Sequence, residues 1–189
     1  MNERENGSSR EEPQAGADGL QEILRERARI LSEVPALEES GEKISVLSFQ
    51  LREELYAVEL VALTEMRRAV PLRHLPSAPP HLVGIINLRG ELLPAVDLCP
   101  ILGLPQHEWR EVAPALLILS SKGNKLALVV DEARDILTFP LKELKPPPLS
   151  LEQERILFLR GELLLDDRPI SLLDVEKLLQ DPRLTGETG

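Results

Sequence analysis

The hexapeptide LRGELL occurs twice, at 88–93 and again at 159–164. A repeated Arg-Gly followed by Glu has the look of a catalytic signature, so the reactive groups come first. A thiol nucleophile needs a base held against it, and Cys99, the single cysteine, carries no Cys–His signature. His74, His81 and His107 sit beside prolines or charged residues, at spacings unlike metal motifs such as H-x-x-x-H. The acid pairs Glu53-Glu54 and Asp166-Asp167 read as turn residues. There is no G-x-S-x-G, no Walker loop and no G-x-G-x-x-G. These residues predict a protein that is not an enzyme, with no metal and no cofactor, and with Cys99 as a buried structural thiol. A small β-barrel hydrolase using Asp97, Cys99 or a histidine is the alternative. It requires those groups to gather in a closed polar pocket.

The other notable polar residues lie in turns: Asn87, Arg89, Glu91, Asp97 and Asp131. Arg89 stands at a hairpin turn beside Gly90, with Gly84 in the preceding strand. An exposed arginine among small and apolar residues is a candidate interface anchor, although a merely solvated turn arginine has the same spacing. The formal net charge of −10 argues against a nucleic-acid surface and against an anionic membrane surface. No apolar run approaches the roughly 18 residues that a membrane span needs, and the N-terminus lacks the apolar stretch of a secretion signal. A single cysteine suits a reducing cytoplasm.

These turns need elements to hold them. Residues 1–43 read as a disordered N-terminus carrying an amphipathic helix at about 18–34. Leu20, Ile23, Leu24, Ala28 and Leu31 fall on one face, Asp18 caps the start and Pro35 ends it. Residues 44–179 read as the folded domain, and 180–189 as a flexible tail. ISVLSFQL and LYAVELVAL have strand composition, broken at Arg52-Glu53-Glu54, and Tyr56, Val58 and Leu60 alternate as in a half-buried strand. VALTEMRRAVPLRHLP continues as a bent strand, with a helix over 61–70 as the alternative. VGIINL and ELLPAVDL form a hairpin across Arg89-Gly90. DLCPILGL reads as a short helix between Asp97 and Gly103. PALLILSSKGNKLALVV is a hairpin turning at Gly123 and Asn124, with strands buried on both faces. A proline-rich connector follows, then more strands, a turn at Asp166-Asp167 and a short helix over 174–179. Many short strands joined by turns predict an all-β barrel or sandwich.

The two LRGELL copies are not the best internal alignment. RGELLPAVDLCPIL aligns without gaps on DDRPISLLDVEKLL, which places Arg89-Gly90 on Asp166-Asp167 and Asp97 on Asp174. Each segment then reads as turn, strand, aspartate and helical turn, so the chain contains two related β units. In that register the second LRG is a preceding turn whose likeness is accidental, and Arg160 inherits nothing from Arg89.

From Tyr56 onward, YAVELVALTEMRRAVPLRHLPSAPPHLVGIINLRGELLPAVDLCPILGLP resembles the CheW family of bacterial chemotaxis adaptors. The likeness rests on Tyr56-x-Val58, on Glu65, on a P-x-x-P before Gly84, and on G-I-I-N-L-R-G followed by a proline and V-D-L. LALVVDEARDIL and DDRPISLLDVEKLL are similar to the family's later motifs, so the resemblance covers about 44–179. It implies two five-stranded SH3-like β barrels around a shared apolar core, with short helices. It implies a non-enzymatic adaptor that joins the regulatory domain of a CheA-type histidine kinase to the cytoplasmic tip of chemoreceptors. The protein would be cytoplasmic and recruited to receptor arrays at the inner membrane, without nucleic-acid binding or direct membrane insertion. By motif, Leu63, Glu65, Gly84, Asn87, Arg89, Gly90, Asp131, Ala133 and Ile136 would serve receptor and kinase binding. The small residue before Asp131 departs from the family pattern, being Ala127 rather than glycine. The N-terminal helix is absent from minimal members. A CheW-like coupling protein of a non-chemotaxis chemosensory pathway has the same motifs.

Overall fold

Among the described residues, eight of ten strands pair as four hairpins, each with a turn residue at positive φ. The computed structural model describes residues 41–73, 75–107 and 112–185. The predicted helix at 18–34 and the tail beyond 185 lie outside the described residues, as does His74. The strands are β1 (Lys43–Leu51), β2 (Glu54–Glu59), β3 (Leu63–Pro71), β4 (Leu82–Leu88) and β5 (Glu91–Val96), then β6 (Val112–Ser121), β7 (Asn124–Val130), β8 (Glu132–Pro140), β9 (Leu159–Leu165) and β10 (Arg168–Leu173). Three short helices are α1 (Gln153–Leu157), α2 (Val175–Gln180) and α3 (Pro182–Thr185).

The strands form two five-stranded sheets, ordered β8-β1-β2-β10-β9 and β3-β6-β7-β5-β4. Each sheet curls until its edges meet. An isolated bridge joins Arg73 to Ile85 in the second sheet, and another joins Lys145 to Glu162 in the first. These are the two SH3-like barrels of an all-β fold. We call them the first barrel (β8, β1, β2, β10, β9) and the second barrel (β3, β6, β7, β5, β4).

Side-chain alternation along the central strands divides the apolar residues into three groups. On β6 and β7, Leu116, Ile118, Ala127 and Val129 fill the second barrel, while Leu117, Leu119, Leu126 and Leu128 face a core shared by both barrels. Ile44, Val46, Ala57, Leu163 and Leu172 fill the first barrel in the same way. These strands are apolar on both faces because both faces are buried. That holds for β2 too: Tyr56, Ala57 and Val58 are all fully buried, so the expectation of a half-buried strand there is corrected.

The internal alignment proves right at the turns. Arg89 and Gly90 have φ of 53° and 93°, and Asp166 and Asp167 have φ of 48° and 62°. Both are two-residue turns with both residues left-handed, the form that matches strand twist. The second LRG is not a turn, however: Leu159, Arg160 and Gly161 open β9. Its true counterpart is Leu82-Val83-Gly84. Each trio holds a bulge against its partner strand, with Gly84 opposite Ala95 and Gly161 opposite Leu172. A side chain at Gly161 would collide with the carbonyl of Lys145 and come within 2.7 Å of Leu144 Cδ1.

Other expectations are corrected locally. Leu60–Ala62 is a 3-10 turn and β3 follows it, so residues 61–70 are not a helix. Residues after Asp97 make consecutive turns with one i→i+4 bond, from Leu102 N–H to Leu98 O, rather than a regular helix. In the 121–124 turn, the left-handed residues are Lys122 and Gly123, while Asn124 begins β7. The first element after the proline-rich connector is helix α1 rather than a strand. The segment 182–185 is helical, and Leu184 is 1% exposed within the shared core, so it is no flexible tail. Leu184 is held there by α2, whose start is capped: the Asp174 carboxylate accepts a bond from Lys177 N–H.

Candidate functional site

The second barrel closes where the edge strands β3 and β4 approach each other, and that seam gathers four of the candidate residues. Glu65 follows a bulge at Thr64, since Leu63 pairs with Leu119 and Glu65 with Ile118. A bulge adds a residue on one side and re-aims the side chains after it. The Glu65 carboxylate accepts bonds from Arg67 Nε at 2.6 Å and from Arg89 Nη2 at 3.1 Å. The Arg67 hydrogen bond first, and the two guanidinium charges after it, hold the Glu65 carboxyl below the ordinary glutamate range.

Arg89 is placed by its turn. Asn87 Oδ1 accepts the Gly90 N–H at 2.8 Å and so closes the loop from within. Gly90 supplies a φ of 93° that a side chain would strain. The Arg89 side chain is 77% exposed even while it touches Glu65. The result is a guanidinium held at the barrel rim with most of its donors facing outward. An arginine in that state can bind a carboxylate or backbone carbonyls on a partner. Glu91, beside it, pairs with Lys125 at 2.7 Å.

The remaining candidates lie elsewhere. Gly84 is buried at the bulge of β4, and Leu63 packs half-buried against the shared core. Ala133 is buried opposite Phe49. Ile136 is on β8, an edge strand of the first barrel, and is 66% exposed. Asp131, between β7 and β8, takes part in a second polar cluster, where its Oδ2 accepts Arg52 N–H at 2.6 Å. Arg67 was missed, although its place two residues after Glu65 puts both on one face of β3. Arg160, the arginine of the second LRGELL, pairs with Glu59 on the first barrel.

That second cluster brings together groups the sequence left scattered. His107 Nδ1 is 3.1 Å from Asp97 Oδ2, and His107 Nε2 is 2.8 Å from Asp131 Oδ1. The second contact is one of proximity, without an aligned hydrogen bond. Asp97 Oδ1 accepts Cys99 N–H at 2.9 Å. The hydrolase alternative asked for such a gathering, but it also needs a reachable nucleophile. Cys99 is wholly enclosed in the shared core. Burial first, and the Asp97 carboxylate next to it, push the Cys99 thiol well above the ordinary thiol range. A protonated, enclosed thiol does not attack a substrate.

Residues 45–183 match the CheW-like domain. The chain is 31% identical over 134 residues to the chemotaxis protein CheW of Rhizobium meliloti (strain 1021), spanning 70% of this chain and 85% of that protein. It is 25% identical over 148 residues to the chemotaxis protein CheW of Treponema pallidum (strain Nichols), spanning 77% of this chain and 87% of the other. Among solved structures it resembles the scaffolding protein TtCheW from Thermoanaerobacter tengcongensis. There the TM-score is 0.62 at 26% identity, over 70% of this chain and 90% of that one.

Proposed function

The chain belongs to the CheW-like domain family, and from that premise we propose that it is a non-enzymatic adaptor coupling chemoreceptors to a CheA-type histidine kinase in chemotaxis signalling. In this reading it works on the cytoplasmic side of the inner membrane, where it is recruited to receptor arrays. Among the described residues no helix is long and apolar enough to cross a membrane, so recruitment runs through protein contacts.

The observation that carries the reading is the Arg89 rim. Its guanidinium is tethered by Glu65 but spends most of its surface on solvent. An exposed ion pair of this kind adds little to stability. The turn has the form common to both barrels, and what sets this one apart is the exposed arginine it carries beside the Asn87 cap. Glu65, Asn87 and Gly90 position the arginine in this proposal. Leu63 and Gly84 shape the neighbouring receptor-facing groove. Asp131, Ala133 and Ile136 belong to the strand pair on which a second contact forms. Ile136 supplies that contact with an apolar side chain, while Ala133 holds β8 against β1.

The test is calorimetric titration of the full chain with a purified kinase regulatory domain and, separately, with a receptor-tip fragment. Arg89→Ala should weaken at least one of the two by about 2 kcal/mol, roughly 30-fold in Kd. Arg160→Ala should leave both unchanged. Equal affinities for wild type and Arg89→Ala with both partners would remove Arg89 from the interface.

A further inference from the structure

The polar cluster beside Arg52 has features that an adaptor surface does not call for. Asp97 is fully buried, Cys99 is fully buried, and the His107 side chain is 7% exposed. One Asp97 carboxylate oxygen, Cys99 Sγ and a ring nitrogen of His107 all lie within 4.8 Å of one another. These are the three ligand types that zinc accepts, each through one atom. Asp97 Oδ2 and His107 Nδ1 are 3.1 Å apart and hydrogen-bonded in the metal-free protein, so a metal would take the place of that bond. Ligands bound at about 2.0–2.1 Å in a tetrahedron are themselves separated by roughly 3.3 Å, so this pair is already spaced as one edge of such a site. The other ring nitrogen of His107 faces the Asp131 carboxylate at 2.8 Å, and Asp131 is in turn held by the Arg52 N–H. A metal-bound histidine usually donates its distal N–H to a carboxylate, and Asp131 stands on that side of the ring, where a small turn of the imidazole would align the bond.

We infer that Asp97, Cys99 and His107 form a site for one divalent, thiol-accepting transition-metal cation of the zinc class, with Asp131 orienting His107 from outside and a water as fourth ligand. The charge balance suits the place. Binding displaces the thiol proton of Cys99 to solvent, and the metal then holds one carboxylate, one thiolate and one neutral imidazole. The dication is cancelled by two anions, so no net charge is left in a buried setting. An open hollow lined by Arg52, Glu53, Glu54, Leu104, Pro105 and Asp131 lies on the Asp131 side of the cluster.

The experiment uses the purified full chain, stripped with a chelator and reduced with a phosphine. It is titrated with Co²⁺ alone, then with Zn²⁺ in competition. The expected result is one equivalent of metal per chain and a thiolate-to-cobalt charge-transfer band that zinc abolishes. Cys99→Ser should lose the band. His107→Gln, the least enclosed of the three and so the safer variant for folding, should lower affinity by at least tenfold while keeping the wild-type circular dichroism. Asp131→Asn should keep the band and weaken binding by roughly 10–100-fold. His81→Gln, outside the cluster, should bind as wild type. The inference is overturned if wild type shows no charge-transfer band, or if His107→Gln binds cobalt with wild-type affinity. It is equally overturned if His81→Gln and His107→Gln lose affinity to the same extent.

Discussion

The two barrels share a backbone plan and differ in the polar residues placed on it. Each has a two-residue turn at its rim, a bulge closed by a buried glycine, and an aspartate just past the strand that follows the turn. At the rim of the second barrel, Arg89 reaches Glu65 across the seam. The matching positions of the first barrel are Asp166 and Asp135, both exposed and both acidic, so no such pair forms there. Asp135 instead exchanges backbone bonds with the Ser48 hydroxyl. Behind the rim, Asp97 is buried against His107, whereas Asp174 stays partly exposed and caps α2. The difference teaches that the duplicated backbone supplies positions and the side chains assign them. In the first barrel they stabilise local structure. In the second they present an arginine and enclose a polar cluster.

The comparison breaks most completely if the repeats are separated. Each barrel takes its central hairpin from one half of the chain and its other three strands from the other half: β1-β2 with β8, β9 and β10, and β6-β7 with β3, β4 and β5. The fragments 41–107 and 112–185 should each lack cooperative urea unfolding, and an equimolar mixture should regain it. A cooperative transition in either fragment alone would show that the halves are independent. The bulge glycines come next. Gly161→Ala places a Cβ against the Lys145 carbonyl, and should cost about 3 kcal/mol in urea denaturation, at the upper end for overpacking.

The two aspartates sharpen the contrast more finely. Asp97→Ala leaves a buried N–H and the His107 ring without their acceptor and should cost about 2–3 kcal/mol in metal-free protein. Asp174→Ala removes only a helix cap and should cost about 1 kcal/mol. Equal losses would mean the two sites are not differentiated. The smallest effect concerns Glu65. Its carboxyl titrates below the ordinary range, so the folded form stays ionised as pH falls past the unfolded value, and the pair with Arg89 is lost only as pH drops through the lowered one. Arg67→Gln should move the Glu65 midpoint upward in an NMR titration, because the Arg67 hydrogen bond is the largest cause of the shift.

What the sequence determined by itself was local. Val, Ile and Leu in short runs made strands, and Arg89-Gly90, Lys122-Gly123 and Asp166-Asp167 made tight turns, because those choices depend on neighbours a few residues away. The gapless alignment of the two rim turns was legible for the same reason. The family motif marked Arg89, and Asn87 and Gly90 beside it, since they belong to one turn. The tertiary structure alone decided which strands share a barrel. A strand's apolar alternation says that a face is covered and not what covers it, so the exchange of hairpins between the two repeats left no trace in either one. It also decided that Arg67 and Arg89 meet on Glu65, and that His107 comes between Asp97 and Asp131. Those partners are separated by loops whose paths are set by packing, and charge spacing along the chain carries no record of them.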